Sequence, residues 1–194
     1  MIDANQVQKL RMMTNCGMME CKKALEESGG DLANAALILR KSGAAKAVKK
    51  FERVANQGLV VSYIHAGGKV GVLLKLCCET DFVAKNDLFG QLAHDLALHI
   101  AGINPLYISG DDIPEEIREN ERRIYTEQFS RSGKPIELIA KIIDGKMQTY
   151  AAEVALLEQP FVKDQDKKVK DVINEYIVKL GENIKVAGFV RYEI

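Results

Sequence analysis

No stretch of the 194-residue chain comes near the ~18–20 consecutive apolar residues that a bilayer span requires, so no transmembrane helix is expected. The opening residues Met1-Ile2-Asp3-Ala4-Asn5 have neither a basic n-region nor an apolar h-region, and no secretory signal is expected. Charge of one sign is also missing. The 27 basic side chains meet 27 acidic ones, which argues against wholesale electrostatic attachment to nucleic acid and leaves room only for a local patch. The four cysteines, Cys16, Cys21, Cys77 and Cys78, include no Cys-x-x-Cys pair and have no histidine at ligand spacing, so neither a zinc ribbon nor a finger is expected. Neighbours on a strand point to opposite faces, so Cys77 and Cys78 cannot converge on one metal. They read as reduced, inert thiols of a cytoplasmic protein with no built-in cofactor.

Signatures of chemistry are equally scarce. There is no Gly-x-x-x-x-Gly-Lys-Ser/Thr phosphate loop and no Gly-x-Ser-x-Gly elbow. Gly67-Gly68 with Gly71 falls inside a hairpin pattern rather than between a strand and a helix, which excludes a dinucleotide fingerprint. His94 and His99 are five apart, about 140° around a helix, and cannot share a metal there. His65 stands alone near the hairpin tip. With no nucleophile–base pair to be found, a binding protein is the expectation rather than an enzyme.

What is present is a balanced globular composition, 47% hydrophobic and 28% charged, long enough for one domain with a small satellite. Three short helices are expected first: Asp3 capping a stripe of Val7, Leu10 and Met13; Gly17 preceding Met18, Cys21 and Leu25, with Gly29-Gly30 as the stop; and Asp31 capping Leu32, Ala35, Ala36 and Leu39, closed by Gly43. Arg40, Lys41, Lys46, Lys49, Lys50 and Arg53 then make a basic helical linker. Past Gln57-Gly58 the period turns twofold. Residues 59–65 and 70–78 form a hairpin over a glycine turn, with Val70, Val72, Leu74, Leu76 and Cys78 on one face. A late strand over 184–193 puts Ile184, Val186, Val190 and Tyr192 on one side.

Helices fill the interval between those strands. Phe89, Leu92, Ala93, Leu96, Ile100 and Ile103 form a stripe within 83–103, which Pro105 ends. A charged helix to Ser130 turns at Gly133-Lys134-Pro135 into 136–143 as an αα-hairpin, and an amphipathic helix over 167–180 carries Val169, Ile173, Tyr176 and Leu180. The expected class is α+β: a three-helix amino-terminal module (1–45), a linker (46–56), and a core (57–194) of three-stranded antiparallel sheet packed with helices and a protruding helical hairpin.

Two stretches are more specific. Cys16-Gly17-Met18-Met19-Glu20-Cys21-Lys22-Lys23-Ala24-Leu25 and Glu79-Thr80-Asp81-Phe82-Val83-Ala84-Lys85-Asn86 resemble the two signatures of the bacterial translation elongation factor Ts family. Lys41-Ser42-Gly43-Ala44 is similar to the end of that family's ubiquitin-associated-like domain. Gln159-Pro160-Phe161-Val162, Gly181-Glu182-Asn183-Ile184 and Phe189-Val190-Arg191-Tyr192-Glu193 resemble its carboxyl-terminal motifs, all in the family's order. Asn15-Cys16 stands where the family commonly has Gly-Ala. The chain has room for one copy of a core that larger members duplicate, so the resemblance implies a homodimer.

The resemblance further implies a guanine-nucleotide exchange factor for elongation factor Tu. It assigns Asp81 and Phe82, with Thr80 and Val83, to the partner's Mg²⁺ side, and Met18 and Met19 to its GTPase domain. Tyr63 and His65 it assigns to the hairpin that meets the partner's β-rich domains. Position alone reads Thr80 or Asp81 as a helix cap and Phe82 as core. Geometry alone has one of Met18 and Met19 packing inward and the other presenting its thioether outward, because consecutive helical residues lie about 100° apart. Two other classes compete: an RNA- or ribosome-binding module using residues 40–53, and a thiol redox enzyme using Cys77-Cys78.

Overall fold

A computed structural model describes residues 3–14, 16–50, 52–130 and 135–194, with 44–49 described by backbone alone. The elements are α1 (Ala4–Thr14), α2 (Met18–Glu27), α3 (Leu32–Lys50), β1 (Gln57–Ile64), β2 (Val70–Cys78), α4 (Asp81–Ala84), α5 (Asp87–Ile103), α6 (Glu115–Ser130), α7 (Ile136–Val154), β3 (Pro160–Phe161), β4 (Asp164–Lys168), α8 (Val169–Leu180) and β5 (Lys185–Glu193). The class is α+β, with an antiparallel sheet of order β1-β2-β5 and a separate β3-β4 ribbon. Asn15, Gly133 and Lys134, which bear on the helix-2 lead-in and the hairpin turn, lie outside the described residues.

The chain divides into two compact units. The first comprises Met1–Val61, Lys75–Ala93 and Asp171–Ala187, and the second Ser62–Leu74, His94–Lys170 and Gly188–Ile194. The first unit begins with a small helical cluster of Val7, Leu10, Cys21, Ala24, Leu25, Ala35 and Leu39. Asp3 accepts the Asn5 N–H at 3.2 Å, and Asp31 accepts the Ala33 and Asn34 N–H groups at 2.8 and 3.2 Å, so both aspartates cap as expected. Met13 is exposed, contrary to the expected stripe. Three helical steps advance about 300°, so Met13 lies about 120° from Val7 while Thr14 lies within about 20°. The face closes instead on Thr14, whose hydroxyl donates to the Leu10 carbonyl at 2.8 Å.

Gly43 does not end α3, which continues to Lys50. A Cβ at Gly43 would stand 3.2 Å from Val178 Cγ2, so this glycine permits close approach of α3 to α8 instead of stopping the helix. Gly58 has a similar purpose in the sheet. At φ 147° its missing Cβ would lie 2.1 Å from the Leu76 carbonyl oxygen, where β1 passes over β2. Leu76, Cys77, Cys78, Phe89, Leu92, Val172, Ile173 and Ile177 are buried in this unit. Tyr176 and Leu180, expected inside, are only half-buried, and the inner face of α8 runs through Val172 and Ile177 instead.

In the second unit the hairpin turns at Gly67 and Gly68 (φ 92° and 70°), with the His65 N–H donating to the Val70 carbonyl at 2.9 Å. Val72, Leu74, Leu96, Ile100, Leu156 and Val169 are buried. Val190 and Tyr192 are exposed, contrary to expectation. The alternation of β5 changes phase by one residue at Gly188, and Arg191 turns inward so that its Nε donates to the Ala101 carbonyl at 3.2 Å. Ile103 is likewise exposed, at the last residue of α5. The α6–α7 pair forms the expected hairpin, joined by Arg122 to Asp144 at 3.1 Å, with no buried residue on α6. Helix α7 runs eleven residues past its expected end, to Val154. The β3-β4 ribbon lies outside the expected elements, since two residues and the polar run Asp-Gln-Asp-Lys-Lys carry no apolar alternation, and Lys167-Lys168 belong to it rather than to α8.

Candidate functional site

The corner after β2 is built from local polar geometry. Thr80 is extended (φ −125°, ψ 158°) and caps α4, its Oγ1 accepting the Val83 N–H at 3.4 Å. The single helix expected to begin near Val83 is therefore two: α4 starts at Asp81 and stops at Lys85-Asn86. Asn86 Oδ1 then accepts the Leu88 N–H at 2.9 Å to start α5. Within α4, Ala84 is buried and Val83 half-buried, which leaves the opposite side outward. Phe82 is 83% exposed. Consecutive helical positions turn by about 100°, so anchoring 83 and 84 swings 82 into solvent. The reading of Phe82 as core does not hold.

The anchor comes from the far end of the chain. Glu182 Oε2 accepts the N–H groups of Glu79 and Thr80 at 3.1 and 3.0 Å, and its Oε1 accepts the Thr80 hydroxyl at 2.6 Å. Reciprocally, Glu79 Oε1 accepts the Asn183 N–H at 2.6 Å, and its Oε2 lies 3.7 Å from the Arg53 guanidinium. Asn183 Nδ2 donates to the Arg53 carbonyl at 2.8 Å, and Lys50 Nζ to the Gly181 carbonyl at 2.5 Å. Glu79, Glu182 and Asn183 are not candidate site residues on sequence grounds, although Glu79 and the 181–184 segment lie within the family-like motifs, and Arg53 enters there only through the basic 40–53 stretch.

Asp81 is exposed and meets Lys85 at 2.8 Å, and the lysine holds its carboxyl below the usual range. An exposed i,i+4 pair of this kind contributes little to stability. The Cys78 thiol donates to the Thr80 carbonyl at 3.1 Å, and burial, aided by the nearby Glu182 charge, pushes it up to about 11. Burial also raises Cys21. Thiols kept protonated are poor nucleophiles, which weighs against the redox reading. No metal-ligating cluster occurs among the described residues. The basic linker is partly engaged within its own unit: Arg40 lies 4.0 Å from Asp171, and Lys50 and Arg53 make the contacts above.

Met18 and Met19 are both exposed, at 58% and 66%, so the expectation that one packs inward is corrected. Met18 lies in the first turn of α2, and side chains lean toward a helix amino terminus, so it projects past the end of the cluster filled by Cys21, Ala24 and Leu25. Glu20 Oε2 accepts the Gly17 N–H at 3.3 Å and secures that turn. Met12 and Met13 are also exposed, so four thioethers flank the α1–α2 connection. In the second unit, Tyr63 Oη and His65 Nδ1 are 3.2 Å apart, and His94 meets the Tyr63 ring edge-on with centroids 5.6 Å apart. His65 is exposed and paired with Tyr63 rather than alone.

A family model described as elongation factor TS matches residues 5–194. The chain is 52% identical over 193 residues to the elongation factor Ts of Coprothermobacter proteolyticus, covering 100% of this chain and 98% of that protein. It is 51% identical over 193 residues to that of Thermodesulfovibrio yellowstonii, with 100% and 96% covered. Against that of Carboxydothermus hydrogenoformans, identity is 47% over 194 residues, with 100% and 89% covered.

Proposed function

From the premise that the chain belongs to the elongation factor Ts family, we propose a mechanism in which the 80–83 corner opens the nucleotide site of elongation factor Tu. The protein is a guanine-nucleotide exchange factor for that GTPase in translation elongation. It makes and breaks no covalent bond. A nucleotide held at nanomolar affinity is retained by about 12 kcal/mol, so unaided release is slow. The factor accelerates release by binding the nucleotide-free partner more tightly than the loaded one, and linkage requires the nucleotide to weaken the factor by the same ratio.

In this mechanism Phe82 is the plug. A phenylalanine exposed in the free protein gains about 2–3 kcal/mol on full burial in a partner, and its two side-chain torsions lose little entropy. With Asp81 beside it, the plug enters next to the partner's Mg²⁺ and disturbs the metal and phosphate contacts, while Thr80 and Val83 hold the corner. Met18 and Met19 dock on the GTPase domain, where pliable thioethers adapt to a partner surface. Tyr63 and His65 meet the β-rich domains. Residues 1–45 act as a ubiquitin-associated-like docking module on a 46–56 linker, and 57–194 as the core that pairs with a second copy. Exposed Ile64, Leu73, Val190 and Tyr192 on the sheet strands support that homodimer. The protein works in the cytoplasm, without direct contact to nucleic acid.

The observation that carries this reading is the 83% exposure of Phe82 on a corner pinned through Thr80. Stopped-flow release of a fluorescent GDP from elongation factor Tu tests it. Wild-type protein accelerates release, and Phe82→Ala loses most of the acceleration while its thermal midpoint stays near wild type. A Phe82→Ala protein as active as wild type overturns the plug.

A further inference from the structure

The segment Gly181-Glu182-Asn183 holds three parts of the first unit at once. It is rooted in α8, where the Gly181 N–H donates to the Ile177 carbonyl at 3.0 Å beside buried Val172, Ile173 and Ile177. Its Glu182 carboxylate takes up the two N–H groups and the hydroxyl that lead into α4. Its Gly181 carbonyl and Asn183 amide tie the end of α3 through Lys50 and the following Arg53. Helix α3 in turn carries Ala35 and Leu39 of the cluster on which α2 packs.

We propose that Glu182 is the positioning residue of the exchange corner, setting the direction of Phe82 relative to the docking helices through its bonds to Glu79 and Thr80. The inference rests on the reading of Phe82 as the plug. A four-residue helix has no stability of its own, since helix nucleation alone is unfavourable. Its orientation is therefore that of its first N–H groups, and Glu182 binds the two just before it. The exchange is reciprocal, Glu182 onto the backbone of 79 and 80, and Glu79 onto the backbone of 183, which resists both sliding and rotation of the corner. Loss of Glu182 leaves Phe82 present but free to swing. A plug displaced by about 1 Å from its productive place forfeits up to about 100-fold in rate, whereas docking through α2 is untouched.

The test titrates the factor against elongation factor Tu loaded with fluorescent GDP and separates the maximal release rate from the half-saturating factor concentration. It uses wild type, Phe82→Ala, Glu182→Ala and the double variant, below every thermal midpoint. Glu182→Ala is expected to lower the maximal rate about tenfold or more and to move half-saturation less than about threefold. In the Phe82→Ala background it is expected to add nothing, because its action passes through that ring. Glu182→Gln keeps one acceptor oxygen and falls between Glu182→Ala and wild type, and it replaces Glu182→Ala in the cycle if the alanine protein does not fold. Independent, multiplicative losses in the double variant overturn the inference alone, as does a loss confined to half-saturation. A Phe82→Ala protein that exchanges like wild type overturns the plug reading and this inference with it.

Discussion

Phe82 is largely exposed and His99 fully buried, and each makes a prediction of its own. Phe82, most of its surface in water, contributes little to the stability of the free chain, so its replacement is expected to cost the proposed exchange activity rather than folding. His99 is fully buried. Its Nδ1 accepts the Val162 N–H at 3.1 Å, which places the proton on Nε2, facing Gln159 Oε1 at 3.0 Å, with Phe161 stacked at 5.8 Å. A second proton would set a donor against the Val162 donor, and burial holds the imidazole below its ordinary 6.5. The unfolded chain therefore takes up a proton near pH 6.5 that the native chain refuses. This stability is present above that pH and is lost as pH falls through the native value. Urea midpoints at about pH 7.5 and 5.5 are expected to show the loss. His99→Gln starts lower and shows less of it.

At the scale of elements, two glycines and one methionine pair separate packing from docking. A Cβ at Gly58 meets backbone rather than a side chain that can move aside, so Gly58→Ala pries β1 from β2. The expected cost is about 2–4 kcal/mol, read from a denaturant midpoint at unchanged slope. Gly43 faces the end of a valine side chain, and the helix propensity gained by alanine offsets the crowding. That difference was not legible in the sequence, where both glycines read as punctuation between elements. Met18 and Met19 contribute little to folding because both stand in solvent. The double change Met18→Ala, Met19→Ala is expected to raise the half-saturating concentration in the GDP-release titration about tenfold, with the maximal rate within about twofold of wild type. A changed maximal rate at unchanged half-saturation would remove the docking role.

At the scale of the whole molecule the outstanding surface is the set of exposed apolar residues on the sheet strands. A Cβ at Gly71 would stand 3.0 Å from Ile64 Cδ1, so Ile64 lies over the strand that also exposes Leu73. Natural proteins usually blunt or cover such strands, and a second copy of the chain is the cover proposed above. Sedimentation is expected to give a dimer for the wild type and a monomer for Leu73→Glu combined with Tyr192→Glu. A wild-type monomer at all concentrations removes the homodimer but leaves the plug in place.

Periodicity and motif order are enough to find most of the helical stripes, though not all their ends or the α4–α5 break, together with the β1–β2 hairpin, the α+β class and the two family-like signatures, because each is written within a few turns or one strand. Helix caps at Asp3 and Asp31 were legible for the same reason. What the tertiary structure alone decided is which distant groups meet. Glu182 finds Glu79 across 103 residues, α3 continues past Gly43 where α8 packs closely against it, and β5 changes phase to turn Arg191 inward. A bond closed over such a loop leaves no repeat in the chain, since its partners share neither a turn nor a strand.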